Sequence, residues 1–317
     1  MALALPQPAH ETSRELVWTD PSAFTTGFDA LVARSDELDR PDMSVAAPSP
    51  ARFISSFVGR KGELDQIESL LVDRKVRLLT LTGPSGVGKT RTALHAAERI
   101  SSRFNNLVWL VELASVEDPA HVGATIARTI GAPPSTGNDV DDVIANYIGG
   151  RAALLILDGF EHLLEAAPLI GKLLAKSPNL HVLATSQSVL RLSGEHSVAI
   201  GPLPVPQSDN VTLSTIESVD AAMLFLDRAR AIQSDFGQDE SAAQSIAEIV
   251  RRLDGIPLAI EIAASRANVL TPQSLLARLD EGLLDIAGAN RDRPRRQQTL
   301  RAAIAWSYGF LSEQEKL

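Results

Sequence analysis

Residues 76–90 read VRLLTLTGPSGVGKT. An apolar, β-prone run, Val76 to Thr82, feeds directly into Gly83-Pro84-Ser85-Gly86-Val87-Gly88-Lys89-Thr90, which matches GxxxxGK(S/T). That pattern must follow a buried strand and open a helix, and here it does. Its glycines let backbone N–H groups turn inward around phosphate oxygens, Lys89 reaches the β- and γ-phosphates, and the Thr90 hydroxyl suits Mg²⁺. The bland alternative is a glycine-rich turn. The reading taken forward is a site for a purine nucleoside triphosphate, ATP or ADP with Mg²⁺, with Arg91 next along the helix included among the nucleotide-binding residues.

Working outward, short β-rich runs alternate with helical stretches from Arg60 onward, the signature of a parallel sheet with helices on its faces, so the fold class is α/β. The expected strands are Val76 to Thr82, Leu107 to Leu113, Ala152 to Leu157, Leu180 to Ser186 and a weaker Ser197 to Ile200. Four are continuous apolar runs, as strands buried on both faces should be. The third runs into Asp158, a carboxylate placed to hold Mg²⁺ opposite Thr90. By itself an Asp after a strand is as readily a helix cap or turn residue. Position 159 is Gly, not a second carboxylate, so fast hydrolysis is not expected. Glu161 is the candidate base, or equally an acid favoured by a helix N-terminus.

After Gly201 to Gln207, with three prolines, the strand signals stop. Ala222, Phe225, Leu226 and Ala229 share one helix face, as do Ile246, Ile249, Val250 and Leu253. These stripes read as core of a small helical domain. The expected layout is a mobile leader at 1–50, with an arm docking on a partner as its alternative. A P-loop domain follows at 51–206, then a helical lid at 207–290, a linker and an incomplete winged-helix start at 291–317.

Composition narrows the function classes. Of 317 residues, 44% are hydrophobic and 22% charged, which excludes a wholly disordered or collagen-like chain. With 30 Lys+Arg against 39 Asp+Glu, the formal charge of -9 disfavours nucleic-acid phosphate over most of the surface. The absence of Cys rules out disulfides and thiolate metal sites, and the six His lack zinc-site spacing. No stretch has the apolar length to span a membrane, so the expected location is cytoplasmic.

Two further motifs say little alone: Phe57-Val58-Gly59-Arg60 before a helical pattern through Leu64, Ile67 and Leu70 or Leu71, and Gly255-Ile256-Pro257-Leu258, a helix end with Pro opening the next helix. Taken in order, however, FVGRKGELDQIESLL, LTGPSGVGKTRTALHAA, LLILDGFEHLL, LATSQSVLRLSGE, DGIPLAIEIAA and RQQTLRAAIAWSYGFLSEQE resemble the NB-ARC-like branch of the signal-transduction ATPases with numerous domains (STAND). They are most similar to the ATPase region of LuxR-type and antibiotic-regulatory bacterial transcriptional regulators. The resemblance covers about Phe53 to Leu317. It implies that Val58, Arg60 and Pro257 look towards adenine, that the helical part clasps the nucleotide, and that the last segment starts a winged helix.

This sequence departs from that pattern in two places. Where relatives read Thr-Ser-Arg it has Thr185-Ser186-Gln187, so the sensor position lacks a cation and detection of ATP against ADP is expected to weaken. The winged helix is incomplete, so the expected object is a truncated member or a fragment. The resemblance implies an ATP/ADP-binding switch in signal transduction and transcription regulation, with slow or no hydrolysis. The rivals are a steadily turning-over ATPase and a degenerate, nucleotide-free interaction scaffold. Expected partners are the nucleotide and a second copy or another protein docking through the lid and missing C-terminal domains, with no membrane and no direct DNA contact.

Overall fold

The computed structural model describes residues 55–133, 140–208 and 211–280. All belong to the second of the chain's two units, Val45–Leu317. The expected leader and the expected winged-helix start lie outside the described residues.

Five strands, β1 (Leu78–Thr82), β2 (Val108–Glu112), β3 (Ala153–Asp158), β4 (Leu180–Ser186) and β5 (Glu195–Ala199), form one sheet in the order β2-β3-β4-β1-β5. Every pairing is parallel. The four apolar runs fall within one or two residues of expectation. The fifth strand begins two residues earlier than expected, because Leu78 pairs with Glu195 and carries the register through His196 and Ser197. It is an edge strand with an exposed flank, so it lacks the apolar run that marks its neighbours.

The connections are α1 (Lys61–Glu68), α2 (Lys89–Ile100), α3 (Val122–Ile130), α4 (Val140–Ile148) and α5 (Ala167–Lys176). Strand residues Leu79, Leu81, Leu154, Ile156 and Leu183 pack in one cluster with Ile67 of α1 and Ala93, Ala97 and Ile100 of α2. Their alternates Leu78, Leu155, Leu157 and Val182 are buried as well, so both sheet faces are covered. The sequence left open whether Leu70 or Leu71 faces inward; both are buried. A π-helical turn at Ser69–Asp73, closed by Arg74 N–H donating to the Ser69 carbonyl at 3.0 Å, widens the helix there and brings two consecutive residues onto the core face.

Beyond the prolines come α6 (Asp220–Arg230), α7 (Glu240–Arg252), α8 (Pro257–Ala264) and α9 (Pro272–Asp280). The two expected stripes meet here in a second core that also takes in Leu203, Ile216 and Leu275. Helix α8 is apolar nearly all round because it packs on two sides. Ala259, Ile260 and Ala263 enter the helical core, whereas Leu258 and Ile262, one turn apart, form a separate apolar pair.

Candidate functional site

Strand β1 delivers the chain to the carboxyl edge of the sheet, where parallel α/β sheets bind ligands. The loop there turns with φ of 147° at Gly83, 79° at Gly86 and 100° at Gly88 before α2 begins at Lys89. Side chains are tolerated poorly in this geometry. A Cβ on Gly83 would stand 2.3 Å from the Ile200 carbonyl oxygen, and one on Gly86 3.0 Å from the Leu258 Cβ. Lys89 is buried and its Nζ donates to the carbonyls of Gly83 (2.8 Å) and Pro84 (3.0 Å) across the loop. Burial draws the Lys89 pKa down, opposed by attraction to Glu161 and Asp158.

Parallel pairing sets Asp158 of β3 beside Thr185 of β4. Asp158 Oδ1 accepts from Thr90 Oγ1 at 2.6 Å and from Thr185 Oγ1 at 2.7 Å, and Thr185 Oγ1 in turn accepts from Gly159 N–H at 2.9 Å. A carboxylate and two hydroxyls therefore converge beside the first turn of α2. Their chemistry fits Mg²⁺, which takes hard oxygen ligands from one or two carboxylates and keeps several waters. Among the described residues no cluster of three or more His, Cys, Asp or Glu could hold a metal, and a Thr–Asp set does not require one.

Two polar atoms in this neighbourhood have no hydrogen-bond partner within the protein although both are buried: Glu161 Oε2 and Gln187 Nε2. Glu161 sits in the helical turn Phe160–His162 just after β3, and Gln187 directly follows β4. Buried polar groups are normally satisfied, so each of these atoms, near the ends of neighbouring strands, is open to a water or a ligand.

The segment Ser55–Arg60 and the helical region α6 to α9 meet α2 and the loop before it. Val58 packs on the helical core, and a Cβ on Gly59 would collide with the Asp220 carboxylate at the start of α6. Arg60 is buried in the left-handed conformation (φ 66°); its Nη2 donates to the carbonyls of Val87 (3.0 Å) and Gly201 (2.6 Å) and its Nη1 to Glu63 (2.8 Å). Pro257 opens α8, and the next residue, Leu258, donates its N–H to the Gly86 carbonyl at 3.1 Å. Arg91 turns to α8 and the segment before α1: its guanidinium reaches Glu261 (3.1 Å) and the carbonyls of Ser55 (2.9 Å) and Ser56 (2.7 Å). Glu261 also takes Arg228 Nε at 3.1 Å, while Arg228 holds the Ser56 carbonyl at 2.7 Å and Ser56 Oγ donates to Asp227 at 2.8 Å.

The His95 ring on α2 lies 4.0 Å from that of Phe57, and its pKa is drawn below the ordinary value by burial, then by Arg91. Burial likewise lowers His181. A histidine with a lowered folded-state pKa costs nothing above its unfolded pKa of about 6.5; below it, only the unfolded chain takes the proton readily, and stability is lost as pH falls. The thermal midpoint is expected to drop between pH 7 and 5.5, and the double change His95→Gln, His181→Gln to flatten that slope. An unchanged slope in the double variant would refute it.

Sequence reading missed Thr185, Arg228, Leu258 and Glu261. Glu261 did carry a signal, as the one charge in the apolar run Ile256 to Ala264. Comparisons with known proteins agree with the geometry. Residues 73–197 match the family model described as an AAA domain. An uncharacterized protein of Mycobacterium tuberculosis is 40% identical over 269 residues, covering 84% of this chain and 65% of the relative. The chain thus spans 65% of that relative's length. A second M. tuberculosis protein, named "Putative HTH-type transcriptional regulator", is 39% identical over 242 residues, 76% of this chain and 26% of that protein. A solved STAND protein with a tetratricopeptide repeat sensor from Pyrococcus horikoshii aligns with TM-score 0.44 at 17% identity, over 86% of this chain and 35% of that one; no argument rests on it.

Proposed function

We propose that this chain, whose residues 73–197 match an AAA domain and which resembles a protein named "Putative HTH-type transcriptional regulator", is a P-loop NTPase serving as the ATP/ADP-binding switch of a signal-transduction ATPase. The observation that carries the reading is the direct join between lid and phosphate loop, the Leu258 N–H on the Gly86 carbonyl. A nucleotide that reshapes the loop acts on the lid through that bond, and the lid position acts back on nucleotide affinity.

Lys89 would exchange its two loop carbonyls for phosphate oxygens, and the buried setting strengthens that attraction. Asp158 and Thr90 would hold Mg²⁺, with Thr185 orienting the Asp158 carboxylate; the ion supplies charge neutralisation at the β- and γ-phosphates. Gln187 Nε2 offers the terminal phosphate a neutral donor in place of a cation, which favours ATP over ADP only modestly. Val58 and Pro257 lie at the seam between lid and loop, where a base would be enclosed.

A ligand moves such an equilibrium only by its differential affinity for the two arrangements. ADP and ATP are therefore expected to give different small-angle scattering profiles or oligomer masses. Identical profiles and identical mass with the two nucleotides would refute the switch. A second reading takes the open Glu161 Oε2 as the acceptor of a proton from an attacking water. Turnover above about one per second, lost in Glu161→Gln, would make this a working ATPase instead.

A further inference from the structure

The phosphate loop is held from outside at two successive peptides. The Gly86 carbonyl accepts the Leu258 N–H at 3.1 Å, and the Val87 carbonyl accepts Arg60 Nη2 at 3.0 Å. In a trans peptide the C=O and the following N–H point in opposite directions. Holding the Gly86 carbonyl therefore turns the Val87 N–H away from the lid, and holding the Val87 carbonyl turns the Gly88 N–H away from Arg60. Both amides thereby face away from the groups that hold the carbonyls, an arrangement suited to consecutive backbone N–H groups of an anion-binding nest.

Arg60 is built for such a task. Its side chain is 5% exposed, and one guanidinium joins three partners from separate parts of the chain: Glu63 on α1, Val87 in the loop and Gly201 after β5. Its backbone sits at φ 66°, a conformation that costs a non-glycine residue free energy and persists where the surroundings over-determine it. Three hydrogen bonds from one rigid fork provide that determination. The resemblance noted above implies an adenine contact for this residue, yet both donors of Nη2 are engaged with backbone carbonyls.

The geometry points to Arg60 as the positioning residue of the phosphate loop: it orients the Gly88 amide for phosphate as the Leu258 N–H orients that of Val87, and it does not read the base. This rests on the nucleotide-binding reading and deepens it. It also explains how the lid and the segment before α1 influence phosphate affinity without touching phosphate, since each holds one amide of the nest.

The test uses the full chain with Mg²⁺ and four probes: ATP, ADP, inorganic tripolyphosphate and adenosine, measured by calorimetry or competition. Arg60→Met is expected to weaken ATP and tripolyphosphate by about 10- to 100-fold, the range for losing a charged hydrogen-bonding group, and to leave adenosine unchanged. Arg60→Lys, which keeps the charge but not the fork, is expected to show the same selective loss. In the unaltered protein, tripolyphosphate is expected to shift the Val87 and Gly88 amide resonances more than any others in the loop, a readout independent of whether a variant folds. Adenosine weakened as much as ATP, ATP unaffected in both variants, or unmoved Val87 and Gly88 amides would each overturn the assignment. If the unaltered chain binds neither ATP nor tripolyphosphate, the nucleotide reading falls and this inference with it; binding that survives both variants overturns this inference alone.

Discussion

Lys89→Ala is expected to weaken ATP and ADP binding by more than about 100-fold, equivalent to roughly 2.7 kcal/mol or more. Charge-assisted bonds to phosphate from a buried ammonium are among the strongest polar contacts available, and no other lysine lies in the loop to replace it. The variant also strips the Gly83 and Pro84 carbonyls of the donor that spans them, so a small loss of stability should accompany the loss of affinity. Calorimetric titration of both nucleotides with Mg²⁺ into the two proteins gives the answer. Equal affinity in the variant would mean that residues 83–90 are a glycine-rich turn after all. In the unaltered protein the same titration yields the ADP to ATP affinity ratio, which decides whether the resting state holds ADP and whether Gln187 discriminates. No heat and no thermal shift with either nucleotide would move the scaffold reading to first place.

Glu261→Ala is expected to lower stability more than other single charge removals in the helical region α6 to α9. Glu261 is shared by Arg91 of α2 and Arg228 of α6, and side-chain exposures of 11%, 19% and 13% put the cluster largely out of water. Removing the carboxylate takes a shared ion partner from both guanidiniums, a change that costs about 3–5 kcal/mol in buried pairs, although Arg228 keeps its ion pair with Asp227. The lower end applies here, because Arg91 and Arg228 keep backbone acceptors at Ser55 and Ser56. For a chain of 317 residues about 3 kcal/mol lowers the thermal midpoint by roughly 4–5 °C. Arg91→Ala combined with Glu261→Ala should be less damaging than the sum of the two, since both changes remove the same ion pair. Strict additivity would show that the two residues act separately. A midpoint within one degree of the original would show that the cluster does not hold α8 and α6 against α2.

Arg91 illustrates why some of the site was legible and some was not. Its neighbours Lys89 and Thr90 declare themselves, because a loop that surrounds phosphate needs glycines, an ammonium and a hydroxyl at set intervals, and those intervals are local. Arg91 was placed with them by adjacency. Its partner Glu261 is 170 residues away, and nothing in the spacing of either helix states which charged residue will face which across a seam. Thr185 was equally hidden: it joins Asp158 through the register of two neighbouring strands, and register depends on the pairing of whole strands. The strand that eluded accurate placement, β5, lies at the sheet edge, where half-exposed residues need not be apolar.

Residue pattern alone is enough for the α/β class, the glycine-rich loop between β1 and α2, the carboxylate ending β3 and the two stripes that build the helical core. Each of these is written in periodicity, in backbone-permissive residues or in a motif whose members are close along the chain. Only the tertiary structure decided what Arg60, Arg91, Leu258 and Glu261 do. Their roles consist of hydrogen bonds between segments distant in sequence, and a long charged side chain or a backbone N–H takes whichever partner the packing of the core brings within about 3 Å.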